Sequence, residues 1–280
     1  MADAAPVKLE LSGVPETMLW PLYYRVQFSQ SEQDLLQDPM AANLVQRIDY
    51  DFAGHFGKGN VGHAIRARYG DDLIRRYARD CRVAGIRPVV VALGEGLETQ
   101  AWRVGDSSIY WVTVDLPEAI AAREKLLPEL TNGEMVACSA LDLRWLDHLP
   151  DNAQPLICAM GLLMYFESAD IQNLLRGMAE HLPMAELCFD TIPPSFSSRA
   201  MKGMRVTPSY TAPQMPWGIA LDDVPAFVEE NGWQVVIAQT YAHPYPEYIR
   251  FYRWLSRIGP MRRAFAPGLV HARLAAGASA

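Results

Sequence analysis

Two glycines one residue apart, Gly94 and Gly96, follow five consecutive apolar residues from Val89 to Leu93. Such a run fits a strand buried on both faces of a parallel sheet, and glycine suits a turn where backbone passes close to a ligand. A second apolar run, Ile109 to Val114, ends in Asp115, about twenty residues on, where a carboxylate can accept from both hydroxyls of a ribose. The combination predicts a site for an adenosine-type cofactor. A dinucleotide site wants Gly or Ala at the third position of the glycine fingerprint, so that pyrophosphate can sit on a helix N-terminus. This chain has Thr99 there, with Glu95 and Glu98 crowding the turn. Two phosphate charges are poorly received by such a turn. S-adenosylmethionine carries no phosphate and bears a cationic sulfonium, so the acidic turn favours the methyl donor over a nicotinamide.

Other residues invite chemistry with less pattern behind them. Six histidines stand at 55, 63, 148, 181, 243 and 271, with no metal-ligand spacing beside a carboxylate, so no metal is expected. His243 follows the apolar run Gln234 to Thr240 and lies between Tyr241 and Tyr245; it is the candidate general base, with a surface histidine as the plain alternative. Tyr165, at the mouth of the fourth strand, is assigned to the substrate pocket. Arg199 is assigned with it, because Arg199, Lys202 and Arg205 form a basic group able to attract an anionic substrate. Cys81, Cys138, Cys158 and Cys188 include no C-x-x-C pair and read as buried free thiols.

The elements that must hold these residues follow from the patterning. From Pro88 onward, strand-like runs at 89–93, 109–114, 135–138, 156–160, 185–191, 234–240 and 269–274 alternate with helix-like segments. That alternation predicts βαβ units and a parallel sheet. The first 85 residues read as helices, among them Met18 to Phe28, a start at Asp38-Pro39, and Ala64 to Cys81, forming an N-terminal helical cap; residues 86–280 form the core. Between about 193 and 218 the pattern lapses into a Pro-, Ser- and Met-rich stretch, read as a lid after the fifth strand. A helix from Leu221 to Asn231 and another from Tyr248 to Phe265, interrupted at Gly259-Pro260, are expected beyond it.

Composition bounds the partners. The 280 residues are 50% hydrophobic and 20% charged, which describes a folded domain with a sizeable core. A net charge of −7 argues against nucleic acid or an anionic membrane surface as the main partner. A small molecule is expected. With neither a basic, apolar leader nor an apolar run of about eighteen residues, the expected compartment is cytoplasmic.

Several segments together resemble the leucine carboxyl methyltransferase family, in its bacterial branch of small-molecule and polyketide O-methyltransferases. They are Asp38-Pro39-Met40-Ala41, Arg66 to Asp72, Leu93 to Thr99, Val114 to Pro117 and Gly161 to Phe166, and the likeness runs from about Ser12 to the last strand. The resemblance implies a Rossmann-like, seven-stranded class I methyltransferase sheet with its final strand antiparallel, under a helical cap. It further implies that Arg66 holds the methionine carboxylate of the cofactor, that Gly94, Glu95 and Gly96 line its methionine and ribose portion, and that Asp115 and Leu116 take the ribose and adenosine. Leu141 and Asp142 would contact the adenine, and Met160 would stand near the cationic end, where the family usually has Glu. In this family the N-terminal helix also roofs the substrate cavity. Trp20, Tyr23 and Tyr24 repeat there at helical spacing and read as packing residues, with Tyr24 also assigned to the pocket. Residue-level alternatives stay open: Arg66 sits among Arg68, Arg75, Arg76 and Arg79 and suits a solvated helix face, and Asp115 and Asp142 suit helix N-caps.

The expected activity is transfer of the methyl of S-adenosylmethionine to an oxygen of a small aromatic or carboxylic acid metabolite. A carboxylate acceptor needs no base at neutral pH, whereas a phenol, with a pKa of about 10, does. The competing expectation is a protein of this fold that binds the cofactor and catalyses another reaction, such as dehydration or cyclisation.

Overall fold

The computed structural model describes residues 6–250, 253 and 257–275. Four helices precede the sheet: α1 (Leu19–Ser31), α2 (Pro39–Arg47), α3 (Phe52–Phe56) and α4 (Gly62–Ala84). α2 begins where the sequence signalled it. The Asp38 side chain accepts from the Ala41 N–H at 3.0 Å, and Pro39 occupies the first turn, where its missing N–H costs nothing. α4 stops at Gly85, whose φ of 71° gives the left-handed cap that other residues resist. The short α3 has no counterpart among the expected elements, because five residues offer too little periodicity to read.

Seven strands follow in the order β3-β2-β1-β4-β5-β9-β8. They are β1 (Val89–Leu93), β2 (Tyr110–Asp115), β3 (Gly133–Ala137), β4 (Leu156–Ala159), β5 (Glu186–Thr191), β8 (Trp233–Thr240) and β9 (Gly268–Leu274). The first five pair in parallel, and β9 lies antiparallel between β5 and β8. This is the expected seven-stranded sheet with its last strand reversed. α5 (Gln100–Val104), α6 (Pro117–Leu126) and α7 (Ser168–His181) provide crossovers.

β1 is buried along its whole length because both of its faces are covered. Val91 and Leu93 pack with Ile171, Leu174 and Met178 of α7, while Val90 and Ala92 pack with Ile65, Leu73 and Ile74 of α4. A strand with two covered faces has no position for an alternating polar residue, which explains the uninterrupted apolar run.

Two expectations are corrected beyond β5. The stretch 193–218 is irregular only from 212 on: before that it forms α8 (Pro194–Met201) and a hairpin of β6 (Arg205–Thr207) and β7 (Tyr210–Thr211). Prolines at the start of α8 hid it, although proline is at home in a first helical turn. The Thr207 hydroxyl donates to the Gly54 and His55 carbonyls, 2.9 and 2.8 Å away, so the hairpin is tied to α3. The helix expected from Leu221 is a single 3-10 turn followed by the short α9 (Val224–Glu229). As expected, the helical path is broken near Gly259-Pro260: residues 250 and 253 are helical, 257 and 258 are not, and Gly259 begins α10 (Gly259–Phe265); residues 251, 252 and 254–256 of the expected helix lie outside the described residues.

Candidate active site

The carboxyl ends of the parallel strands open on a cavity of about 540 Å³. In sheets of this kind, ligands bind at that edge, near the point where strand order reverses between β1 and β4. Gly94 and Gly96 form its floor with φ of 62° and 51°. A Cβ on Gly96 would lie 2.6 Å from Met18 Cβ, so packing as well as the backbone angle demands glycine there; a Cβ on Gly94 would meet only the movable end of Leu162, 2.6 Å away at Cδ1, and at that position the backbone angle decides.

Buried arginines hold the turn in shape. Arg123 donates to the Gly96 and Glu98 carbonyls at 2.6 and 3.0 Å and pairs with Glu95 at 2.9 Å, while Arg25 donates to the Leu97 carbonyl at 3.0 Å. Glu98 pairs with Arg25 at 2.8 Å and also with Arg103. Burial alone would raise its pKa, but the two guanidinium groups override this and hold it at about 2. Glu95 goes the other way, raised by its burial against the pull of Arg123 and the Thr113 hydroxyl. The argument that an acidic turn attracts a cation is thus corrected: both glutamates are neutralised within the protein. Thr99 faces away from the cavity and donates its hydroxyl to Asp38 at 2.8 Å.

Asp115 lies at the cavity wall. Its carboxylate accepts from the Gly96 N–H at 2.6 Å and the Leu116 N–H at 2.7 Å, which orients it beside the turn. Burial raises its pKa, opposed by those two N–H groups. Across the cleft, Arg66 of α4 donates to Asp190 of β5 at 3.0 Å. The Asp190 carboxylate also accepts from the Gly161 N–H and from the Tyr241 hydroxyl, the latter at 2.7 Å. Asp190 is 2% exposed and was not singled out in the sequence, since one acid at the end of an apolar strand has no distinguishing spacing. It sits one register step beyond the Ala159–Phe189 pair, next to Met160, so the edge of the sheet carries a carboxylate from β5 where position 160 offers only a thioether. The Met160 sulfur lies 3.7 Å from Cys188 Sγ.

Of the residues assigned from sequence, Arg66, Gly94, Glu95, Gly96, Asp115, Leu116, Met160, Tyr165 and Arg199 line this one cavity. Leu141, Asp142, Tyr24 and His243 do not. The Asp142 carboxylate accepts from the backbone N–H and the guanidinium of Arg144, which is the helix-cap alternative. Tyr24 is 4% exposed and donates its hydroxyl to the Phe56 carbonyl, while Trp20, expected only to pack, lines the cavity; the two aromatic positions exchange roles. His243 is exposed on the turn after β8, where it has no reach to the cleft. His63, one of six scattered histidines in the sequence, is the one in the cavity wall.

The polar groups of this cleft match the chemistry of S-adenosylmethionine: a guanidinium for a carboxylate, carboxylates for an ammonium and for ribose hydroxyls, and a floor that admits close backbone approach. A seven-stranded sheet of this order, with such a cleft at its carboxyl edge, places the molecule among the S-adenosylmethionine-dependent methyltransferases. The structure of a putative methyltransferase from Thermobifida fusca YX shares this fold, with a TM-score of 0.53 at 16% identity over 75% of this chain and 81% of that one. The chain belongs to the leucine carboxyl methyltransferase family, whose profile matches residues 19–179. It is 33% identical over 191 residues to the tetracenomycin polyketide synthesis O-methyltransferase TcmP of Streptomyces glaucescens, covering 66% of this chain and 68% of that protein. It is 24% identical over 272 residues to a putative S-adenosyl-L-methionine-dependent methyltransferase of Mycolicibacterium gilvum (strain PYR-GCK), covering 82% of this chain and 87% of that protein. Among the described residues, no helix is long and apolar enough to cross a membrane.

Asp190→Asn tests the pairing across the cleft. The amide keeps the acceptor for Gly161 but loses the charge that fixes Arg66, so affinity for S-adenosylhomocysteine should fall by roughly tenfold, about 1.4 kcal/mol for one weakened charge-assisted contact. Calorimetry showing an unchanged constant would mean that Arg66 is held without Asp190.

Proposed function

We propose that the chain methylates an oxygen of a small aromatic or carboxylic acid metabolite in secondary metabolism. One observation carries the acceptor class: beyond Arg66 and Asp115 the same cavity continues into a chamber walled by Trp20, Tyr165, Ile192, Phe196, Met204 and Met215, with Arg199 and Arg205 at its rim. Apolar and aromatic walls receive a ring system, and rim guanidinium groups with no carboxylate partner among the described residues favour an acid. The name of the Streptomyces relative supports a polyketide-like acceptor. A small molecule of this kind also agrees with a net charge of −7, and a cytoplasmic location goes with the proposal.

When bound, S-adenosylmethionine supplies an electrophilic methyl group on a cationic sulfur. Arg66, kept charged beside Asp190, would hold the carboxylate of that cofactor, and Asp115 would hold its ribose. Gly94, Glu95, Gly96, Leu116 and Met160 would line the remainder. Tyr165, at the junction between the two regions, would align the acceptor oxygen with the methyl, and the apolar walls would keep water from that line. Positioning of this sort is the main contribution a protein makes to a displacement at carbon.

The test is incubation of the purified protein with methyl-labelled S-adenosylmethionine and a panel of aromatic acids and phenols, with products identified by mass spectrometry as esters or ethers. Label in an acceptor is the expected result. A product with an altered skeleton and no label would replace this reading with the dehydration or cyclisation alternative. Arg199→Ala should raise the KM of an acidic acceptor about fivefold, since an exposed rim charge contributes about 1 kcal/mol, and added salt should shrink the difference. A KM insensitive to both changes would remove Arg199 from the acceptor site.

A further inference from the structure

We infer that His63 receives the hydroxyl of the acceptor and takes its proton, so that the acceptor group is a phenol; this rests on the methyltransferase reading above. His63 is the second residue of α4 and stands three positions before Arg66, so the two project from one helix face into the same cavity. Its ring lies edge-on to Tyr24, with centroids 5.1 Å apart, and 6.3 Å from the ring of Trp20. Nδ1 is closed off and has no hydrogen-bond partner, which leaves Nε2 as the nitrogen able to meet a ligand. Buried polar groups in folded proteins are nearly always paired, and those left over call for an explanation.

Among the described residues, two other buried atoms of the cleft also have no partner, but Trp20 Nε1 can only donate, and Glu95 Oε1 belongs to a carboxylate already paired with Arg123. The Tyr241 hydroxyl donates to Asp190, the Glu95 carboxylate is held by Thr113 and Arg123, and the Asp115 carboxylate accepts from Gly96 and Leu116. Tyr165 and Tyr241 are raised above the ordinary phenol range, first by burial, so neither serves as a base at neutral pH. His63 is driven the other way: burial and then the charges of Arg66 and Arg25 lower its pKa, with Glu98 opposing, and the ring stays neutral. A neutral ring has a lone pair for an O–H group.

Full proton transfer from a resting phenol to so weak a base is uphill. The transfer therefore accompanies methylation. The hydroxyl O–H bond breaks as the proton passes to Nε2, an electron pair of the oxygen forms the bond to the methyl carbon, and the carbon–sulfur pair leaves on sulfur. Acidity of the hydroxyl rises as its oxygen is alkylated, which is when the base is needed. The imidazolium then returns its proton to water after product release.

Binding of two probes on one skeleton, 2-naphthol and 2-naphthoate, tests this by calorimetry with S-adenosylhomocysteine present. Wild-type protein should bind both, and His63→Phe should lose tenfold or more for 2-naphthol while keeping 2-naphthoate within twofold. His63→Gln, which accepts a hydrogen bond but cannot carry the proton, should retain 2-naphthol binding and lose methyl ether formation by a factor of a hundred or more. Equal losses for both probes would make His63 a packing residue. Unchanged 2-naphthol binding in His63→Phe, or none in the wild type, would also overturn the proposal. S-adenosylhomocysteine binding in each variant reports a folded cleft, and if His63→Phe lacks it the Gln variant decides. Failure of the wild type to bind S-adenosylhomocysteine would instead overturn the methyltransferase reading itself.

Discussion

Arg103→Met should destabilise the protein by about 3–5 kcal/mol, the usual cost of removing one partner from a buried ion pair. Arg103 projects from α5 and is 5% exposed. Its Nε and Nη2 donate to the Asp71 carboxylate, each at 2.9 Å, and its Nη1 donates to Asp38 at 3.0 Å, to Thr99 Oγ1 at 2.8 Å and to Glu98. Arg25, 3.2 Å from Asp38 and 2.8 Å from Glu98, is the second cation of the cluster and does not pair with Asp71. Without Arg103, Asp38 and Glu98 share the one guanidinium of Arg25 and Asp71 keeps only the Gln100 amide, so the join between the glycine turn, the start of α2 and the middle of α4 loses its centre. Thermal unfolding should register a fall of roughly 10 °C. A loss below about 1 kcal/mol would show that Arg25 and local rearrangement suffice. The same cluster sets a pH dependence. Glu98 titrates in the folded protein at about 2, below its ordinary value of 4.5, so its stabilisation is complete above about pH 5 and is lost as pH falls through that window toward 2. Arg103→Met should weaken that acid limb.

Asp115→Ala should lower affinity for S-adenosylmethionine more than tenfold, because the two charge-assisted hydrogen bonds to ribose proposed for it would contribute about 1.5–3 kcal/mol each. The variant also releases the Gly96 and Leu116 N–H groups that its carboxylate now holds, so the turn loosens in the same step. Asp115→Asn separates the two effects: one amide oxygen can keep the turn in place while the charge is gone. Asp142→Ala is the contrast. Its carboxylate is engaged with Arg144 outside the cavity, and donor affinity should stay within about twofold. Calorimetry on the three variants checks the ranking, and an Asp115→Ala constant equal to the wild type would remove that residue from the donor site.

The Met160 position shows what a neighbour can change. Judged along the chain, a glutamate there would restore an acid near the cationic end of the cofactor. In the folded protein, Asp190 already supplies a carboxylate one strand over, beside the Gly161 N–H and Arg66. A second acid would meet like charge in a poorly solvated wall, and its pKa would rise.

What the sequence determined by itself is local. Seven apolar runs marked the seven strands to within two residues at their starts, Asp38-Pro39 marked the start of α2, and Gly94, Gly96 and Asp115 marked the cleft. Each is a signal carried by adjacent residues: apolar continuity, a capping side chain, a backbone angle that glycine alone takes easily. What only the tertiary structure decided joins distant positions. Asp190 meets Arg66 across 124 residues, Arg103 meets Asp38 across 65, and β9 enters between β5 and β8 although it follows both in the chain. Among the histidines, His63 and His243 differ in sequence by nothing that periodicity or spacing can grade. One lies on α4 under Trp20 and the other on an open turn, and packing alone separates them. Buried charges find partners by proximity in three dimensions, because an unpaired charge cannot be tolerated there, and no short spacing along the chain encodes which distant strand will deliver the partner.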